Sequence, residues 1–167
     1  YSAFSDVHTT VDKPLPLSDY FTQTWNTYHG LPHNGINAIS QSSDGYLWIG
    51  TWEGLARFNG REFKVFSRGS KVGLPDAVVK SLTATVDGKL LVAGARGGLS
   101  ERFNSQWSPQ QPASTMTNHA IYDSEANLWL ALEGKGLVFR NTTTQQNSVI
   151  INNLRAFKIV EDDNKTI

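Results

Sequence analysis

Four histidines, one pair of adjacent aspartates and two glycine-rich stretches are where chemistry would first be sought in this 167-residue sequence. His8, His29, His33 and His119 lack the spacing that puts two metal ligands on one helix face. His29 and His33 are four apart, but Gly30 and Pro32 lie between them and forbid the helix. No Gly-x-Ser-x-Gly elbow is present. Gly97-Gly98 and Gly134-Lys135-Gly136 lack the following Lys-Ser/Thr and helix of a phosphate loop, so they read as turns. Asp162 and Asp163 fall side by side in an expected turn. The sequence has no Cys, which removes thiol catalysis, disulfides, zinc–thiolate sites and iron–sulfur clusters together. We therefore expect no catalytic residue, no metal and no cofactor. What remains is a scattered polar set: His29, His33, Asn34, Trp52, Glu53, Arg68, Lys71, Asp76, Arg96, Glu133 and Lys135. Its meaning depends on the elements that carry it.

Composition narrows those elements. Lys plus Arg and Asp plus Glu each number 15, so the formal net charge is zero. Nucleic-acid affinity comes from neutralising phosphates, and a balanced chain is not built for it. Charged residues are 18% and hydrophobic residues 39%, which excludes a compositionally disordered chain. Gly, Thr, Ser, Asn and aromatics suit strands joined by tight turns better than long helices. No apolar run approaches the roughly 18 residues of a membrane span. Any membrane link would come through a downstream anchor. No signal peptide is visible, and a start at Tyr1 without Met implies the removal of an upstream segment. Residues 1–19, with Pro14 and Pro16, read as an extended lead-in.

An internal repeat organises the rest. Its first copy runs Ser43-Asp-Gly-Tyr-Leu-Trp-Ile-Gly-Thr-Trp-Glu-Gly-Leu-Ala-Arg-Phe58, followed by Asn59-Gly60. Its second runs Val86-Asp-Gly-Lys-Leu-Leu-Val-Ala-Gly-Ala-Arg-Gly-Gly-Leu-Ser-Glu-Arg-Phe103. Its third runs Ser124-Glu-Ala-Asn-Leu-Trp-Leu-Ala-Leu-Glu-Gly-Lys-Gly-Leu-Val-Phe139, and a fourth opens at Glu161. Asp44 to Asp87 is 43 residues, Asp87 to Glu125 is 38, and Glu125 to Asp163 is 38. Periods near 40 with short β segments fit four-stranded propeller blades. Ser43-Asp44-Gly45 and Asn59-Gly60 supply hairpin turns. We expect an all-β chain of about three and a half antiparallel blades, over 36–67, 78–109, 116–152 and, in part, 154–167. Residues 20–167 would form the partial propeller. Leu154 to Val160 would be the inner strand of the fourth blade, and Tyr20 to Tyr28 an outer strand without a blade of its own. Trp48 and Trp129, with Leu91 between them in the repeat, would be largely buried between neighbouring blades, and Trp52 more exposed.

The run Gly30-Leu-Pro-His-Asn-Gly-Ile-Asn-Ala-Ile39, then Asp44-Gly-Tyr-Leu-Trp-Ile-Gly-Thr51, then Glu53-Gly-Leu-Ala-Arg-Phe-Asn-Gly60, resembles the two-component regulator propeller repeat. Gly73-Leu74-Pro75-Asp76 echoes Gly30-Leu31-Pro32-His33 before the second copy. Copies two and three depart from the pattern: Leu91 replaces Trp, Ala93-Gly94 replaces Gly-Thr, and Glu125-Ala126 replaces Asp-Gly. The resemblance covers about residues 25–167. It implies the periplasmic sensor region of a bacterial inner-membrane signalling protein, with a GGDEF-type diguanylate cyclase as the expected output and a hybrid histidine kinase as the alternative. It also implies propellers of many blades, so the chain reads as a fragment of a larger sensor, or one completed by another chain.

In a propeller, one rim is formed by the links between blades and the loops joining second to third strands. The polar set falls there: His29, His33, Asn34, Trp52, Glu53, Arg68, Asp76, Arg96, Glu133 and Lys135, with Lys71. Such a rim can hold a small-molecule or carbohydrate-like ligand; the alternative is solvated loop charge. Two other functions compete with sensing. One is a polysaccharide lyase or glycosidase on the same scaffold, since its paired carboxylates would be brought together only in space. The other is a dimerisation module. Unpaired blade edges predict self-association, most simply as a homodimer.

Overall fold

The computed structural model describes residues 16–67, 74, 76–110 and 115–167. Most of the expected lead-in, and the rim candidates Arg68 and Lys71, lie outside the described residues.

Among the described residues, twelve strands form three four-stranded sheets, each antiparallel and in chain order. The first blade is β1 (Ile36–Gln41), β2 (Leu47–Thr51), β3 (Gly54–Phe58) and β4 (Phe63–Phe66). The second is β5 (Val79–Ala84), β6 (Leu90–Gly94), β7 (Leu99–Phe103) and β8 (Gln106–Gln110). The third is β9 (Thr117–Tyr122), β10 (Leu128–Leu132), β11 (Gly136–Arg140) and β12 (Asn147–Ile151). Only two short 3₁₀ turns, Leu17–Asp19 and Thr27–His29, interrupt the β structure among the described residues. No helix there is long and apolar enough to cross a membrane, which says nothing about a β-barrel.

The blades stack through their second strands, which are the most apolar stretches of the sequence because both faces are covered. Trp48, Leu55, Phe66 and Leu74 pack against Val79, Leu82, Leu90 and Val92 between the first two blades. Leu91, Ala93 and Leu99 meet Ala120, Leu128, Leu130, Leu132 and Val138 between the second and third. A smaller cluster joins Ile121 and Ala131 to Ile159 beyond the third. Outer strands carry little of this load: every residue of β12 is exposed.

The turn from first to second strand is built four times. Ser42, Thr85, Asp123 and Asp162 each donate their amide across it, to Tyr46, Lys89, Asn127 and Thr166 carbonyls at 2.9–3.0 Å. Gly45, Gly88, Ala126 and Lys165 fill its left-handed position, at φ of 86°, 87°, 63° and 63°. The fourth turn thus exists although 154–160 makes no ladder, for its second strand has no counterpart among the described residues. That segment is held instead by bonds to the third blade: Asn118 Nδ2 donates to the Ala156 carbonyl (3.0 Å) and the Ile159 amide to His119 Nδ1 (3.3 Å).

One expectation needs correction. Tyr20 to Tyr28 is not a strand. Asn26 accepts the Tyr28 amide on Oδ1, His29 Nδ1 accepts the Asn26 amide, and Asn34 Oδ1 accepts the Thr27 amide. These local bonds close a 3₁₀ turn in place of a ladder. Trp25 then packs edge-on against Phe58 and Phe63 of the first blade. The two repeat tryptophans differ in degree. Trp48 is wholly buried, as expected, but Trp129 is only partly so. The reason is its neighbour: 154–160 is one segment where Trp48 faces a complete blade.

Candidate functional site

The rim candidates do not converge. Those that are engaged are held locally, chiefly between the segment that enters the first strand and the turn between second and third strands. In the first blade, His33 Nδ1 accepts the Gly35 amide at 2.8 Å. A Cβ on Gly35 would lie 2.5 Å from the Trp52 ring and 3.0 Å from that of His33, so the two rings crowd one glycine. Trp52 remains 54% exposed, as expected of it. Glu53 is exposed, and only its amide is engaged, by Thr51 Oγ1 at 3.1 Å.

In the second blade, Asp76 is buried and Arg96 closes over it. Arg96 donates from its amide (2.8 Å), Nε (3.1 Å) and Nη2 (2.5 Å), and the Ala77 amide adds a bond at 2.7 Å. Burial alone would raise this carboxyl. The Arg96 side-chain and backbone bonds and the Ala77 amide outweigh it and hold the group down at about 2. Gly94 must be glycine here, because a Cβ would sit 2.6 Å from Asp76 Cβ and 2.7 Å from the Gly97 carbonyl. In the third blade, Glu133 accepts from Asn118 Nδ2 at 2.9 Å, and Arg155 Nε stands 3.9 Å from its other oxygen. Lys135 is exposed in the turn. Asp76 and Arg96 therefore staple a linker to a turn, and the set forms three separate clusters.

The concave space lies elsewhere, along the axis lined by the inner strands. Every inner strand carries the same bulge after its first residue, between Ile36 and Ala38, Val79 and Ser81, and opposite Ala131/Leu132 in β9. Asn37, Lys80 and Asn118 occupy the bulge. Asn37 Nδ2 reaches the Val79 carbonyl of the next blade at 3.0 Å, as Asn118 reaches Ala156. Further along, Ser40 Oγ accepts the Ala84 amide (3.0 Å) and Thr83 Oγ1 donates to the Ala120 carbonyl (2.7 Å). Side chains at one register thus satisfy the neighbouring inner strand, which has no ladder partner on that side.

Two cavities share this axis. One, of about 690 Å³, opens at the end where the inner strands finish and includes Asp87, Lys89, Tyr122, Asp123 and Glu161, with His119 and Lys158, which line both cavities. Its acids are all engaged: Asp87 with Lys89 at 3.0 Å, Asp123 with Trp129 Nε1 at 2.8 Å, Glu161 with the Ser124 amide at 2.9 Å. Burial, with Glu101 accepting its hydroxyl at 2.6 Å, pushes Tyr122 well above the usual phenol range. The other cavity, of about 610 Å³, opens where the inner strands begin, and Asn37, Ile39, Lys80, Asn118, His119, Phe157 and Lys158 are among its lining. His119 is buried, and burial together with the Lys158 charge holds its imidazole down at about 4. Sequence reasoning missed this group. Asn37, Lys80 and Asn118 share a repeat register 43 and 38 residues apart, which was the available signal.

Residues 30–53, from the linker through the second strand of the first blade, match the two-component regulator propeller family. Solved structures similar to this chain include extracellular domains. One, from B. thetaiotaomicron, is described as that of the hybrid two-component system BT3049. It is 21% identical over 78% of this chain and 20% of its own, with a TM-score of 0.66. The extracellular domain of BT4673 from the same organism, described both as a one-component and as a hybrid two-component system, is 20% identical. It is matched over 72% of this chain and 17% of its own, with TM-scores of 0.60 and 0.61. At these identities the likeness is one of fold, and the chain spans about a fifth of the length of those solved chains. No curated protein matches the sequence.

Proposed function

We propose that this chain is part of the extracytoplasmic input region of a bacterial membrane signalling protein, and that it recognises a ligand without transforming it. The observation that carries the reading is the regulator propeller repeat over residues 30–53, set in blades whose structural relatives are extracellular domains of signalling systems. A periplasmic location follows from the same reading. Those relatives favour a hybrid histidine kinase as output over a GGDEF diguanylate cyclase.

The architecture supports such a role. Blades joined by polar bonds between inner strands can pass a small rotation from one to the next, because each interface is a packed, discrete contact. The test is the full-length protein in membranes. A transmembrane helix followed by a kinase or GGDEF region, with output activity that responds to solutes added outside, is the expected result. A full-length protein with no output region, or one that cleaves polysaccharide with this segment, overturns the proposal.

A further inference from the structure

We propose that the outer side of the interface between the first and second blades is a binding site for a doubly charged oxyanion, a sulfate or phosphate group, held among Arg57, Lys64 and Arg102. None of these residues lines either axial cavity, and the proposal does not rest on the output reading above.

Strand pairing puts the cations in a row. Trp48 of β2 stands opposite Arg57 of β3, and Arg57 opposite Lys64 of β4, so the three side chains share one face of the first blade. That face meets the second blade, where Trp48 and Phe66 join Leu90 in one core cluster. Across the interface, Leu90 stands opposite Arg102, and Arg102 opposite Trp107. The Arg102 guanidinium lies 4.9 Å from the Trp48 ring, and that of Arg57 lies 5.7 Å from the same ring and 4.1 Å from Tyr46. Lys64 Nζ is 5.7 Å from Phe66, which stacks on Trp48. Two guanidiniums and an ammonium thus gather round one aromatic cluster, whose faces fix the direction of the charges.

Their charge is unmet. None of the three makes an ion pair with a described residue. Arg57 Nε is buried without a hydrogen-bond partner. Burial and the Arg57 charge both work against the charge on Arg102, and Asp44 opposes them. Asp44 is exposed on its turn and accepts the Ser42 hydroxyl, while Glu62, also exposed, is engaged by Asn59 at 3.5 Å. The next interface shows what is missing. Glu101 pairs with Leu91 as Arg57 pairs with Trp48, and Arg140 pairs with Leu128 as Arg102 pairs with Leu90. There the second blade brings its own acid, and Glu101 accepts the Tyr122 hydroxyl at 2.6 Å. The first interface sets arginine at both equivalent positions. An arginine cannot shed its proton, so a counter-ion is the remaining way to offset the repulsion. A tetrahedral dianion offers oxygens on several sides to donors that arrive from two blades; a carboxylate offers two oxygens in one plane and a single charge.

The test is a titration of the chain at neutral pH and constant ionic strength, followed by the NMR signals of the Arg57 and Arg102 Nε–H groups and the Trp48 indole N–H. Sodium sulfate and sodium phosphate are the dianionic probes, and sodium acetate is the monoanion. Saturable shifts with a millimolar midpoint are expected for at least one dianion, and none for acetate; the tighter dianion identifies the group. Arg102→Met and Arg57→Glu should each raise the midpoint about tenfold, while Lys135→Met in the third blade leaves it unchanged. Lys64→Met, at an exposed side chain, should weaken binding about threefold and decides the matter should an arginine variant unfold. Arg57→Glu copies the second interface, so in low salt without either dianion it should raise the melting temperature by about 2–4 °C. Linear shifts in both dianions, equal midpoints for acetate and the dianions, unchanged midpoints in the R102M and K64M chains, or a melting temperature lowered by R57E overturn the site.

Discussion

Trp48 and Trp129 hold the same register position in the first and third blades. Each donates its indole N–H to the residue that opens the neighbouring turn, Ser42 at 2.9 Å and Asp123 at 2.8 Å. Their surroundings differ. Trp48 stacks on Phe66, lies 4.9 Å under the Arg102 guanidinium of the second blade, and is sealed by that blade's core. Trp129 packs edge-on against Phe139 of its own sheet, while beyond it stands a single segment that reaches the blade through Ile159 and Ala156. The hydrogen bond is local and survives in both places. Burial is contributed by the next blade, so it varies. A repeat of this kind specifies its own hairpins and leaves its core to be finished by its neighbour.

That contrast can be broken at several points. Trp48→Ala should have the largest effect, a loss of roughly 3–5 kcal/mol, because a sealed interface cannot collapse around the cavity. Urea unfolding measures it, and a loss as small as that of Trp129→Ala would erase the distinction between the two sites.

Asp76→Asn comes next. The folded carboxyl is depressed to about 2 from 3.8, so its contribution is fully present above pH 4 and is lost as pH falls through 2. A shift of that size corresponds to at most about 2 kcal/mol. Melting the native and Asp76→Asn chains between pH 7 and pH 2 should show the two curves converging in acid. Curves that stay parallel would mean that the Arg96 pair contributes through shape alone.

Trp129→Ala should cost less, roughly 1–2 kcal/mol, from partial burial and one hydrogen bond. Indole fluorescence sharpens the same point: an aqueous quencher should reach Trp129 and spare Trp48. The smallest effect expected is a gain. Ala126 occupies the left-handed turn position that Gly45 and Gly88 fill in the other blades, at φ of 63°. Ala126→Gly should stabilise by about 0.5–1 kcal/mol in the same denaturation assay, since the Cβ that strains this conformation is removed.

Much of this was legible beforehand. The Asp-Gly and Asn-Gly turns, the apolar second strands and the echo of Gly30-Leu31 in Gly73-Leu74 gave the blade register. Leu31 and Leu74 are both buried, as equivalent positions should be. Tyr20 to Tyr28 misled because its aromatics suggest a strand, while Asn26, His29 and Asn34 close a turn through side-chain bonds that no periodicity reveals. The rim set misled in another way. Its residues do share one end of the molecule by topology, but His33, Asp76 and Glu133 are each engaged inside their own blade.

The sequence by itself determined the hairpins, because a turn and its flanking strands are settled among residues a few positions apart, where side-chain type and spacing suffice. It also determined which residues would be core, since the second strand of each copy is apolar on both faces. Only the tertiary structure decided what those blades do to one another. Asn37 finds Val79, Thr83 finds Ala120 and His119 finds Ile159 across about 40 residues of chain. Nothing in their local pattern sets such meetings. They follow from how one blade packs on the next, and the cover over Trp48 is a consequence of that packing.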